Sequence, residues 1–159
     1  MVNDRFEIVI IKSSNLSSFF KEYKPNIDYP KLEEIFKSTS ELCYNQDDVS
    51  FTNVIHACFD KKEKRYCAFL NVGTTTDIDD LVSISIEFLF VEKDYRKIEF
   101  EELGNIKISE FLLIDYVVLS MGEIIKNQIG INSVAITPAT DKIRELYSSY
   151  GFQTIKGSG

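Results

Sequence analysis

Thr140-Asp141-Lys142-Ile143-Arg144-Glu145-Leu146-Tyr147-Ser148-Ser149-Tyr150-Gly151-Phe152 carries the clearest local signal in the chain. Asp141 to Tyr150 reads as a helix that Gly151 stops at the C′ position, where a left-handed backbone favours glycine. Phe152 to Lys156 starts a last strand, and Ile131 to Thr137, just upstream, reads as another. Further back a long helix runs from about Ile108 to Gln128. Its apolar residues (Phe111, Leu112, Ile114, Val117, Val118, Met121, Ile124, Ile125) cover more than one face, the pattern of a helix packed on two sides.

Working outward, Leu81 to Val91 is the strongest strand in the chain. Strict alternation puts Ile84, Ile86, Phe88 and Phe90 on one face and Ser83, Ser85, Glu87, Leu89 and Val91 on the other. Val54 to Phe59 and Tyr66 to Val72 are strand-like runs joined by the charged connector Asp60 to Arg65, and Gly73 to Asp80 reads as a polar loop. Arg5 to Lys12, rich in β-branched residues, is a first strand. A short helix follows near Leu16 to Tyr23, and a second begins at Pro30 in its first turn and ends near Tyr44. The order is β-α-α-β-β-β-α-β-α-β. It predicts one α/β domain over residues 1–159, with a mixed, mostly antiparallel sheet flanked by helices.

Three observations carry a resemblance. Ile143, Leu146-Tyr147 and Gly151-Phe152 have the spacing of the signature helix of GNAT-type N-acetyltransferases. Leu89-Phe90-Val91-Glu92-Lys93-Asp94-Tyr95-Arg96 is similar to that family's apolar strand, which ends in Val before an acidic turn and Tyr-Arg. The element order agrees across nearly the whole chain. The resemblance implies acetyl-CoA as cosubstrate and an unknown amine as acceptor, with cationic small molecules and peptide or protein amino groups among the candidates. It also implies that the strand Leu81 to Val91 splays from Ile131 to Thr137 to open a V-shaped cleft.

The same resemblance assigns residues. Tyr147 is implied as the acid that protonates the departing thiolate, since a tyrosine with a pKa of about 10 matches a thiolate of similar basicity. Glu87, taken as facing the same side as Leu89 and Val91, is the candidate general base, its carboxylate set among apolar neighbours that raise its proton affinity. The implied cofactor-binding set is Leu89, Phe90 and Val91 on the strand, Gly104, Asn105, Ile106, Lys107, Ile108 and Ser109 on the phosphate loop, and Thr140. Backbone N–H groups at a helix N-terminus grip anions, and Ser109 offers a cap. The loop departs from the family pattern. Gly104 takes the place of an Arg or Gln, Lys107 and Ser109 replace glycines, and an acidic segment, Lys97 to Leu103, precedes them. That departure keeps a second reading open, a catalytically degenerate protein of this fold serving as a binding or regulatory module. A third is an unrelated α/β scaffold without coenzyme A.

Composition narrows the classes further. With 18 basic and 25 acidic side chains the net charge is −7, against the cationic footprint a nucleic-acid binder needs. No apolar run reaches the roughly 18 residues of a membrane span, and no basic-then-apolar leader opens the chain, so a cytoplasmic protein is expected, monomer or homodimer. Cys43, Cys58 and Cys67 have the spacing of neither a disulfide framework nor a zinc site. His56, the only histidine, reads as structural, as does Asp115 within the long helix. Asp77, Asp79 and Asp80 read as a solvated loop without the calcium-loop pattern.

Overall fold

The computed structural model describes residues 3–11, 15–28, 30–31, 33–34, 37, 54–76, 82–131, 133–138 and 140–153, the side chain of Glu87 excepted. Five strands form one sheet in the order β1-β2-β3-β4-β5: Phe6–Ile11, Val54–Asp60, Arg65–Thr76, Val82–Val91 and Val134–Ile136. The first four pair antiparallel in sequence order, and β5 lies parallel to β4. Helix α1 is Leu16–Glu22, α2 is the long helix over 108–129, and α3 is Asp141–Ser149. Of the second helix read from sequence, Pro30, Lys31, Glu33, Glu34 and Lys37 are helical and the rest lies outside the described residues. So do Asp77, Asp79, Asp80 and Cys43, and most of the expected last strand, Phe152 to Lys156.

The β4 alternation is corrected by a bulge. Asn71 pairs with Phe88 and Val72 with Ile86, so Glu87 is the extra residue, opposite nothing on β3. One inserted residue reverses the parity of everything beyond it. Ile84, Ile86, Leu89 and Val91 therefore pack together with α2, while Phe88 and Phe90 turn to the opposite face against α1. The face expected to be shared by Glu87, Leu89 and Val91 does not exist as a continuous row. A second bulge leaves Cys67 as the extra residue between β2 and β3, and Cys58 and Cys67 are buried thiols.

Two further expectations change. The segment read as a polar loop from Gly73 is strand as far as Thr76, because Gly73 to Thr76 continue the ladder against Ser85 to Val82. The strand read over Ile131 to Thr137 is shortened to Val134–Ile136.

The sheet separates two apolar layers. On the α1 face, Leu16, Phe19 and Tyr23 pack on Ile55, Phe69, Phe88 and Phe90. Phe69 is fully buried at its centre, stacked on Phe88 with ring centroids 5.2 Å apart. On the other face Ile108, Leu112, Leu113 and Val117 of α2 close over Leu70, Ile84 and Ile86. From Phe111 to Met121 the helix is π-wound, with hydrogen bonds reaching five residues back. The buried residues there, Phe111, Leu112, Leu113, Tyr116 and Val117, recur at spacings of four and five. Asp115, between them, is only half-buried. Beyond Met121 no residue of the helix is buried, so its second half lacks the two-sided packing that its apolar content suggested.

A buried ion pair fixes the edge of the sheet. Asp60, at the end of β2, receives both Arg5 Nε and Nη2 (3.0 and 2.9 Å), the Tyr95 hydroxyl (2.7 Å) and two backbone N–H groups of the hairpin turn. Burial works against its charge, yet the Arg5 and Tyr95 hydrogen bonds prevail and hold the carboxyl down to about 2.

Candidate active site

β4 and β5 stay together for a short length only. Their pairs are Ile84 with Val134, Ser85 with Ala135 and Ile86 with Ile136. Past Ile86, β4 runs on to Val91 without β5 beside it. Between the unpaired end of β4 and α3 lies a narrow cavity of about 110 Å³, open to solvent. Leu89, Phe90 and Val91 form one wall and Ile143, Leu146 and Tyr147 the other, with Ser109 and Arg96 at the remaining sides.

The local sequence explains how Tyr147 comes to face β4. The N–H of Phe152 bonds the carbonyl of Tyr147 (3.2 Å) and that of Gly151 bonds Ser148 (3.0 Å), the paired bonds of a Schellman helix stop. Gly151 has φ +106°, with open space where a Cβ would stand, so backbone conformation alone demands glycine. The stop folds Phe152 back on Tyr147, ring centroids 6.2 Å apart, and Tyr147 is buried. Thr140 caps the other end of α3, its Oγ1 accepting from the Ile143 N–H at 3.1 Å. It is exposed and does not line the cavity.

Ser109 does not cap α2, whose N-cap is Lys107 with no side-chain cap bond. Its hydroxyl instead meets the Tyr150 hydroxyl at 2.8 Å, tying the start of α2 to the end of α3 across the cavity. The expected phosphate loop is a tight turn. Gly104 and Asn105 are both left-handed, φ +84° and +65°. Their N–H groups go to the carbonyls of Glu101 and Phe100, and Phe100 bridges Ile106. The first intrahelical bond is Phe111 N–H to Lys107 carbonyl. The N–H groups of Ile108, Ser109 and Glu110 are therefore the open donors of the first turn.

Sequence reasoning placed Leu89, Phe90, Val91, Ser109 and Tyr147 in the site, and all of them line this cavity. Gly104, Asn105, Ile106, Lys107, Ile108 and Thr140 do not. Glu87 is the first β4 residue beyond the last β4–β5 pair, at the point where the strands part; its side chain lies outside the described residues. The reading missed Arg96. Its Nε donates to the Val91 carbonyl at 2.7 Å, and its Nη1 and Nη2 bond both oxygens of Asp28, at 2.7 and 2.5 Å. The Arg96 hydrogen bond is the main cause that holds Asp28 below the ordinary carboxylate range. The signal was present in Tyr95-Arg96, but nothing in sequence paired it with Asp28.

His56 and Asp115 stay outside the cavity. His56 is buried, its Nδ1 bonded to the Tyr116 hydroxyl, and burial lowers its pKa to about 4. Among the described residues no cluster of His, Cys, Asp and Glu is placed to hold a metal, and no helix is long and apolar enough to cross a membrane.

No protein-family model matches the chain, and neither does any curated protein sequence. Solved structures do. An acetyltransferase from Trypanosoma brucei superposes with a TM-score of 0.54 at 16% identity, covering 97% of this chain and 96% of its own. A predicted acetyltransferase from Clostridium acetobutylicum, determined with acetyl-CoA, gives 0.57 at 15% identity over 96% and 92%. A GNAT family acetyltransferase from Staphylococcus aureus gives 0.57 at 10% identity over 98% and 96%. The fold of this chain is the GNAT acetyltransferase fold.

Proposed function

We propose that this protein is an N-acetyltransferase that takes acetyl-CoA as cosubstrate and transfers the acetyl group directly to a bound amine. The observation that carries the reading is the parting of β4 from β5 after Ile86, with Tyr147 facing Leu89 to Val91 across the gap. An unpaired strand edge lends its N–H and C=O groups to an extended ligand, as in strand addition, and the pantetheine arm carries amides suited to it. The residues present fit the cosubstrate in two further respects. The open first-turn N–H groups of Ile108, Ser109 and Glu110 form an anion-binding end of α2. Lys107, the N-cap of α2, adds a positive charge at that same end.

Acetyl-CoA supplies the acetyl group as a thioester. The chain's part is positioning and proton transfer. A β4 backbone N–H near the bulge donates to the acetyl carbonyl oxygen as it gains charge. Glu87, where the strands part, takes the proton that the attacking ammonium must lose. As the C–S bond breaks, the Tyr147 hydroxyl gives a proton to the departing sulfur, and the second proton, shed by the acylated nitrogen, restores the hydroxyl. The acceptor approaches from the far side of the bulge, and cationic amines suit the acidic chain.

A specific observation favours a second reading, a non-catalytic protein of this fold. The turn at 100–106 spends the N–H groups of Gly104 and Asn105 on its own carbonyls, beside the acidic Glu101 and Glu102. Isothermal titration of the full chain with acetyl-CoA separates the two. Saturable binding supports the transferase, and its absence at millimolar cosubstrate leaves the non-catalytic reading.

A further inference from the structure

On the α1 face of the sheet an open groove of about 1060 Å³ lies beside the C-terminal end of β4. Its residues take no part in the cavity between β4 and α3. The groove includes Glu92, whose residue is only 5% exposed. Glu92 Oε1 accepts the Tyr23 hydroxyl at 2.9 Å and the Asn26 N–H at 3.3 Å. Oε2 has no hydrogen-bond partner among the described residues, yet it is not sealed from solvent. An oxygen of a largely buried carboxylate needs a donor, and where none comes from the described residues the groove is the side from which water or a ligand donor reaches it.

The walls and rim are chemically distinct. Tyr23 and Tyr66 lie with ring centroids 5.7 Å apart, and Phe59 meets Tyr66 at 5.1 Å. These rings give an apolar surface next to the carboxylate, and their faces favour a cation. Lys24, Lys64 and Lys93 line the rim, are exposed, and make no ion pair among the described residues. Arg65, by contrast, is held by Asp94 at 3.0 Å. Glu22 also lines the groove and is exposed, so the rim carries three lysines against one further carboxylate and stays cationic on balance. A simple anion meets Glu92 at the floor, and a simple cation meets the lysine excess at the entrance. A molecule carrying both charges satisfies both.

We propose that this groove binds a small zwitterion of the amino-acid class, its ammonium on Glu92 Oε2, its carboxylate toward Lys24, Lys64 and Lys93, and an apolar side chain against Tyr66 and Phe59. The site is separate from the acetyl-transfer cavity, on the other face of the sheet, and its existence does not depend on that activity.

The probes are L-phenylalanine, phenethylamine and 3-phenylpropanoate, titrated calorimetrically into the full chain. L-Phenylalanine binds, and each single-charge analogue binds at least about tenfold more weakly, the loss of one charge-assisted contact. Glu92→Gln abolishes L-phenylalanine binding. Because that position is buried, the exposed pair Lys24→Glu with Lys64→Glu provides the second arm and weakens L-phenylalanine about tenfold without touching the core. The proposal is overturned if L-phenylalanine does not bind at millimolar concentration, if 3-phenylpropanoate binds as well as L-phenylalanine, or if the double lysine variant retains full affinity. Acetyl-CoA titrations of the same samples report on the transferase reading independently.

Discussion

At the residue scale, Tyr147 and Glu87 stand on different footings. Tyr147 is held against β4 by a helix stop whose chemistry is written in Gly151 and Phe152. Tyr147→Phe keeps the ring and removes the proton, so acetyl-CoA affinity in calorimetry should hold while turnover falls by about 10²-fold or more. Equal turnover would make Tyr147 a packing residue. Glu87→Gln should likewise spare cosubstrate affinity and lower kcat by about a hundredfold, a deficit that narrows as assay pH rises and the amine loses its proton unaided. His56 titrates for stability. Its folded pKa, lowered to about 4 by burial, lies below the ordinary value of about 6.5. The unfolded chain therefore binds the proton first as pH falls. Stability is full above about pH 6.5 and drains by about 3 kcal/mol as pH drops to 4. His56→Gln should flatten that part of a Tm-against-pH curve; an unchanged curve would place the acid sensitivity elsewhere.

At the element scale the helix stop and the bulge decide the site. Gly151 at φ +106° has open space around it, so Gly151→Ala should cost about 1–2 kcal/mol from backbone strain alone, measurable as a lower urea midpoint with an unchanged slope. The stop was legible, because a glycine after a helical run followed by an apolar residue has one common physical meaning. The bulge was not. Glu87 looks like any alternating polar residue of a strand, and only the competition between the α2 and α1 layers shows that Phe88 and Phe90 belong to the second. The π-winding of α2 was equally hidden, since Phe111, Leu112 and Leu113 are apolar under any helical period. The tertiary partner on that stretch is His56, which meets Tyr116, while Asp115 is half-buried.

For the whole molecule, Asp60 joins the first strand, the β2–β3 hairpin and the segment after β4 through Arg5 and Tyr95. Asp60→Asn would leave the Arg5 guanidinium with only the longer, exposed Glu102 contact at 3.5 Å, and a loss of about 3 kcal/mol is expected in denaturant unfolding. Its carboxyl, held down at about 2, stabilises the fold fully above the ordinary carboxylate pKa of about 4 and loses that contribution as pH falls toward 2. Arg96 plays a similar joining role nearer the site, linking Asp28 in the loop after α1 to the Val91 carbonyl at the cavity wall.

The order of the described elements and the end of α3 were legible in the residues alone, because these rest on local periodicity and local turn chemistry; Leu89, Val91 and Tyr147 were reached through the family resemblance that those motifs carry. The sequence also determined that α2 would be apolar on more than one side, though not how much of it would be covered. Tertiary structure decided the rest. The parity switch at Glu87 depends on how β4 pairs with β3, and the Arg96–Asp28 and Glu92–Tyr23 contacts join residues 68 and 69 positions apart. Which partner each group meets is fixed by competition between packed layers, and no window of neighbouring residues contains that information.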